Sequence, residues 1–236
     1  MARLINNNFD KSMFSEIKSL TRRTTRNLIR RCGYELTPVH AALPKAVKAD
    51  YEPLLEIIGS YRFKFLDVKT FLPLTMSRAH FIGIHQSKGL EILDLGTGVG
   101  YFPVVCKYYG HSAMALDQNG NQVFEDVTKW LNVDRRTWKI TAFQPIPSLG
   151  KRFDLITAFM VNFDRSEAPE YKPWTTREWD FFLADLVHNH LKTGGRLVML
   201  LNDHTLAIPS VLENFAKKGA RVYGGWVDFQ KLCVCS

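Results

Sequence analysis

The chain has 236 residues, 46% of them apolar, which suffices for one α/β domain with an extension, or two small domains at most. No apolar run approaches the ~18 residues that a membrane-spanning helix needs, and Asn6, Asn7, Asn8 and Asp10 interrupt the start where a secretory signal would have its apolar core. The formal net charge of +8 is lopsided: residues 1–50 carry ten Lys/Arg against four Asp/Glu, whereas the remainder carries 21 against 19.

The first predicted element lies in that basic part. Met13, Ile17, Leu20, Thr24 and Leu28 fall at helical spacing, with Arg22, Arg23, Arg26 and Arg30 crowding the other positions. A basic amphipathic helix of this kind packs on its own domain, lies on an anionic membrane surface, or grips nucleic acid, and all three stay open. Residues 1–88 are therefore expected to form a basic, mostly helical extension. The four cysteines are too few and too scattered for a disulfide framework. They read as reduced, structural residues of a cytoplasmic protein, with no ligand spacing that would suit a metal.

From about residue 90 the pattern alternates strand and helix. Apolar runs end at Asp94, Asp117, Phe143, Met160 and Asn202, and most of them lead into helical patterns. Such alternation predicts a parallel sheet with helices on both faces, occupying residues 89–236. Pro103 falls in the first turn of the helix after a glycine loop, where a missing N–H is harmless. Val123, Val127, Trp130 and Leu131 mark the next helix. Thr175 and Glu178 form a capping-box pattern ahead of Trp179, Phe182, Leu183 and Leu186. Gly194 and Gly195 are expected to turn the chain into a strand over residues 196–202. Pro209 and Gly219 bracket a last helix. Residues 221–226 and 229–235 then read as a terminal hairpin with Asp228 between its strands, so one strand of the sheet runs antiparallel.

The segment Glu91-Ile92-Leu93-Asp94-Leu95-Gly96-Thr97-Gly98-Val99-Gly100 carries the chemistry. A buried strand ends in an acid, and three glycines alternate before a helix, letting the backbone turn sharply and approach a ligand. Dinucleotide-binding proteins space their glycines G-x-G-x-x-G, whereas here the third comes one residue early. A carboxylate at Asp94 would repel a pyrophosphate but suits the ammonium group of an amino-acid ligand. Asp117 ends the next strand, where a carboxylate can accept hydrogen bonds from both hydroxyls of a ribose.

With those residues in place, the segment resembles motif I of the class I S-adenosylmethionine-dependent methyltransferases, and Asp117 resembles the acid of their second strand. Phe153-Asp154-Leu155-Ile156 is similar to the entry of the fourth strand, and Leu191-Lys192-Thr193-Gly194-Gly195-Arg196-Leu197 to the turn into the fifth. The motifs cover residues from about 88 onward and occur in the family's order. The resemblance implies a Rossmann-like α/β sheet of seven strands in the order 3-2-1-4-5-7-6, the seventh antiparallel. It implies S-adenosylmethionine as cofactor, cradled by Gly96, Thr97, Gly98 and Gly100, approached by Asp94 and held at the ribose by Asp117, with Gln118 beside the adenine. Phe143 and Gln144 stand where the family often has an acid after the third strand, and Phe143 and Phe159 read either as core or as cofactor contacts.

The methyl acceptor is expected beyond the carboxyl ends of strands four and five, at residues 160–174 and 202–205. The first of these segments carries Phe163, Asp164, Arg165, Tyr171 and Trp174, aromatic groups compatible with stacking on a sugar. His204 and Asp164 are candidate bases for an oxygen acceptor. His188 and His190 read as structural or solvated, and His80 and His85 as groups on a segment able to fold over the pocket. The sequence Ala158-Phe159-Met160-Val161-Asn162-Phe163 lacks the Asn/Asp-Pro-Pro-Tyr/Phe signature of several N-methyltransferases, which leaves O-methylation by elimination. Finally, Leu28-Ile29-Arg30-Arg31-Cys32-Gly33-Tyr34-Glu35-Leu36 resembles the opening of methyltransferases from bacterial surface-polysaccharide pathways. That implies a glycan, lipid-linked glycan or small-molecule acceptor, with residues 13–31 touching the inner membrane face. An RNA methyltransferase and a non-catalytic S-adenosylmethionine-binding protein are the alternatives.

Overall fold

The computed structural model describes residues 68–164 and 172–232. The chain divides into two compact units, the first up to Ser87 and the second from Lys88 onward. The basic pattern over residues 13–31 and the stretch 28–36 lie outside the described residues, as do Arg165, Tyr171, Cys233 and Cys235. In the first unit, helix α1 (Val68–Phe81) is followed by a short 3-10 turn at Ile84–Gln86. No described helix is long and apolar enough to cross a membrane.

The second unit alternates as the sequence predicts. Strand β1 (Glu91–Leu95) leads to α2 (Tyr101–Tyr108), β2 (Ser112–Asp117) to α3 (Gln122–Trp130), and then come β3 (Asp134–Thr137) and β4 (Phe153–Phe159). After α4 (Thr176–Asp185) and a single π-type turn at Leu186–His190 come β5 (Leu191–Leu200), the short α5 (Asp203–Leu206) and α6 (Pro209–Lys217). The hairpin β6 (Arg221–Tyr223) and β7 (Trp226–Phe229) closes the order. The seven strands lie as β3-β2-β1-β4-β5-β7-β6, with β7 antiparallel to both its neighbours and the rest parallel. This is the α/β, Rossmann-like order that the resemblance implies.

The central strands are apolar on both faces because helices cover a parallel sheet on both sides. Ile92, Leu93 and Leu95 of β1 and Ile156 of β4 are wholly inaccessible to solvent. Local chemistry agrees with this packing. Glu178 closes the capping box by accepting the Thr175 backbone N–H at 2.8 Å and also its hydroxyl. Pro209 opens α6 at its first turn.

Three sequence expectations need correction. The third strand ends at Thr137 rather than Phe143, because residues 134–137 pair with the last four residues of β2 and nothing extends beyond Asp117 for later residues to pair with. The fifth strand starts at Leu191, not at Arg196; its pairing with β4 shifts register between Phe153 and Leu155, and this bulge contains the two glycines. The terminal turn falls at Gly224-Gly225, so Asp228 lies inside β7. There Asp228 is buried and receives Arg196 Nε and Nη2 at 2.9 and 2.8 Å.

Candidate active site

Strand β1 is the point from which the chain turns first to β2 on one side and later to β4 on the other, so a crevice opens outside the carboxyl ends of β1 and β4. Asp94 lies beneath it, buried and in register with Thr157 of β4. The Thr157 hydroxyl donates to Asp94 Oδ1 at 2.8 Å, which orients a carboxylate that burial would otherwise penalise. Thr157 is visible in the sequence only once the β1–β4 register is known.

The loop 96–100 joins the carboxyl end of β1 to α2. Gly96, at φ +67°, passes so close to Val161 that an added Cβ would sit 2.5 Å from Cγ2 of that side chain. A Cβ added at Gly98, at φ +57°, would make only an ordinary contact, with Phe124 at 3.9 Å. One glycine is therefore required by packing against the protein, and the other leaves a backbone that a ligand can approach. Gly100 caps α2. The Thr97 hydroxyl oxygen between the first two is buried and has no hydrogen-bond partner among the described residues. A buried polar atom of that kind calls for a partner, such as water or a ligand.

Asp117 ends β2 and faces the same loop. Its Oδ2 accepts the Gly98 N–H at 2.7 Å, and its Oδ1 accepts the Gln118 N–H at 2.8 Å. Burial pushes its pKa above the usual 3.8, while these two bonds and the charge of Arg135 pull the other way. Gln118 is exposed, and its carbonyl accepts from Arg135 Nη2 at 2.7 Å.

At the end of β3 stands Trp138, whose backbone N–H donates to the Asp117 carbonyl at 2.9 Å. Its indole N–H is buried and has no partner among the described residues. The position expected for Phe143-Gln144 is therefore held by Trp138. Phe143 lies in a later turn at φ +57°, half-exposed, with its ring 5.8 Å from that of Phe181. Gln144 is exposed in the same turn. Phe159 closes β4 and packs edge-on against Phe102 at 4.9 Å and Trp226 at 5.8 Å.

At the carboxyl ends of β4 and β5, Asn202 makes contacts that the sequence does not announce. Its Nδ2 donates to the Val161 carbonyl at 3.1 Å and to Asn162 Oδ1 at 2.6 Å, while its Oδ1 accepts the Thr205 N–H at 3.0 Å and the Thr205 hydroxyl at 3.1 Å. One buried amide thus ties the segment after β4 to the helix that carries Asp203 and His204, both exposed. Asn202 followed three residues later by Thr205 is an N-cap pattern that a reading focused on the strand end passes over.

Asp164 pairs with Pro173 in an isolated bridge and accepts the Lys172 N–H at 2.9 Å through Oδ1. Phe163 and Trp174 correct an expectation: they are 2% and 1% exposed and pack with Trp179 at ring distances of 4.5 and 5.3 Å. They build the core and are withdrawn from any acceptor.

The other histidines separate clearly. His190 is buried with Nε2 3.3 Å from the Ile146 carbonyl, and burial lowers its pKa against the pull of Asp185. His188 is exposed. His80 and His85 belong to the first unit, where their rings stack at 4.0 Å. Among the described residues, no group of three or more His, Cys, Asp or Glu is placed to hold a metal ion.

No family model and no curated protein matches the chain. Several solved structures are similar to parts of it. The ribosomal protein L11 methylase of Lactobacillus delbrueckii subsp. bulgaricus is 19% identical with a TM-score of 0.41, over 66% of this chain and 77% of that one. CalS10 of Micromonospora echinaspora, an amino pentose methyltransferase solved with S-adenosylmethionine bound, is 20% identical at 0.42, over 56% and 51%. An O-methyltransferase family protein of Burkholderia thailandensis is 12% identical at 0.44, over 68% and 56%. The match spans only about half the length of the last two proteins.

Proposed function

We propose that the protein is an S-adenosylmethionine-dependent methyltransferase acting on an oxygen of a glycan, a lipid-linked glycan or a small molecule. The observation that carries this reading is the pair of carboxylates around the three-glycine loop at the topological switch point. Asp94 lies buried under the loop, and Asp117 meets it at Gly98. The residues fit the cofactor. Each Asp117 oxygen accepts one backbone N–H and keeps lone-pair capacity for a ribose hydroxyl. Gly98 presents backbone without a side chain, the Thr97 hydroxyl lacks a partner among the described residues, and the Asp94 charge complements an α-ammonium group.

S-adenosylmethionine, when bound, supplies a methyl group on a sulfonium, ready for in-line displacement. The chain's own contribution is then chiefly positioning, which for well-oriented reactants accounts for ~7–11 kcal/mol of a barrier. Asn202 fixes the segment after β4 against α5, so the acceptor side is held at two points. His204 takes the proton that leaves an acceptor hydroxyl as the new C–O bond forms; Asp164 is the second candidate, with Oδ1 accepting the Lys172 N–H.

The test is transfer of labelled methyl from S-adenosylmethionine into cell extract separated into glycolipid and polysaccharide, RNA, protein and small molecules. Label is expected in the glycan or small-molecule fraction, at a rate reduced at least about 100-fold in His204→Ala, as for loss of a general base. Label confined to RNA would overturn the acceptor class and recast the N-terminal arginines as phosphate contacts. Cofactor binding without any transfer would overturn the assignment as an enzyme.

A further inference from the structure

Three described residues other than glycine have positive φ: Asn132, Phe143 and Met160. Asparagine tolerates this conformation through its short polar side chain. Phe143 has an aromatic neighbour on α4 to rest against. Met160 has neither excuse. It follows the last residue of β4 at φ +59°, and 49% of its surface is exposed.

The backbone there is held by its surroundings. The Met160 N–H donates to the Leu200 carbonyl at 2.7 Å, the next carbonyl is taken by Asn202, and Val161 fills the space over Gly96. Glycine or asparagine would suit this φ better than methionine, and half-exposure means that core packing does not demand a thioether. A side chain that neither the backbone nor the core calls for therefore stands at the carboxyl ends of β4 and β5. Val161, the next residue, touches the loop proposed to hold the cofactor. Outliers of this kind cluster where geometry serves a ligand.

We propose that Met160 is a specificity-determining residue on the acceptor side, its thioether forming the wall against which an apolar face of the methyl acceptor packs. An unbranched, polarizable side chain adapts to a flat or C–H-rich surface without presenting a charge to it. This inference rests on the methyltransferase reading above.

The test compares the full chain with Met160→Gly and Met160→Asn. Both replacements suit the observed φ, so neither is expected to lower the melting temperature, and lost transfer in them cannot be put down to misfolding. S-adenosylmethionine affinity, by calorimetric titration, is expected to stay within about twofold. Labelled-methyl transfer into the fraction that the wild type labels should fall about tenfold or more, the scale of a lost apolar contact in a specificity pocket. Unchanged transfer in both variants would overturn the role of Met160 while leaving the enzyme assignment intact. So would a fall matched by an equal fall in cofactor affinity. A wild type that binds no S-adenosylmethionine, or binds it and labels nothing, would instead overturn the reading beneath the inference.

Discussion

Gly96 and Gly98 share a backbone conformation but differ in their surroundings, and that difference gives a prediction. Alanine at Gly96 meets both the strain of φ +67° and a Val161 methyl at 2.5 Å, so Gly96→Ala should lose about 2–3 kcal/mol of stability. Gly98→Ala meets only the strain and should lose about 1 kcal/mol. In the cofactor-binding reading, its new methyl would stand where a ligand approaches, so its larger defect should be in S-adenosylmethionine affinity. Urea unfolding and ligand titration on the two variants separate these effects. Equal stability losses would contradict the packing described for Gly96. The sequence spacing marks all three glycines alike; only the contact with Val161, 65 positions on, distinguishes the first.

Among the elements, the β5–β7 pair depends on a contact that local reading cannot reach. Asp228 sits between two apolar runs and so reads as a turn residue, yet in β7 it accepts two hydrogen bonds from Arg196 of β5 and one from Gln230 Nε2 at 2.6 Å. Asp228→Ala should cost about 3 kcal/mol in urea unfolding, the lower end for breaking a buried pair, since Arg196 keeps some access to water. A loss under about 1 kcal/mol would show that water replaces the pair without penalty. The same limit explains the other misreadings. The end of β3 is set by where its neighbour β2 stops. Phe163 and Trp174, on a segment that reads as an aromatic binding loop, are drawn inward by Trp179 and Phe182 of α4. Elements announced by local chemistry were legible: the capping box at Thr175, Pro209 at the start of α6, and the glycine loop after β1.

At the scale of the molecule, the strand order 3-2-1-4-5-7-6 is the one that the resemblance of the motifs implies, and it puts a switch-point crevice at the carboxyl ends of β1 and β4. The acidic ends of β1 and β2 were legible because they terminate strands that lead into helices. The arrangement after β4 was not, since Met160, Asn202 and Asp164 are set by hydrogen bonds spanning up to 41 positions, or by a backbone angle. The central claim is that the crevice binds S-adenosylmethionine through an ionised Asp117. Its pKa is raised by burial, so ionised Asp117 opposes folding at neutral pH, and that opposition disappears below the unfolded value of 3.8. By the same sign, its protonation begins at a higher pH than for an ordinary aspartate, and ligand affinity should weaken there. The decisive measurement is calorimetric titration of S-adenosylmethionine into the full chain and into Asp117→Ala, at pH 7 and at successively lower pH. Binding at neutral pH is expected, at least about tenfold weaker in Asp117→Ala, as for a lost hydrogen bond to a charged group. The wild-type affinity should fall on acidification through a step that the variant lacks. No binding by the wild type, or equal binding by both proteins at every pH, would contradict the account.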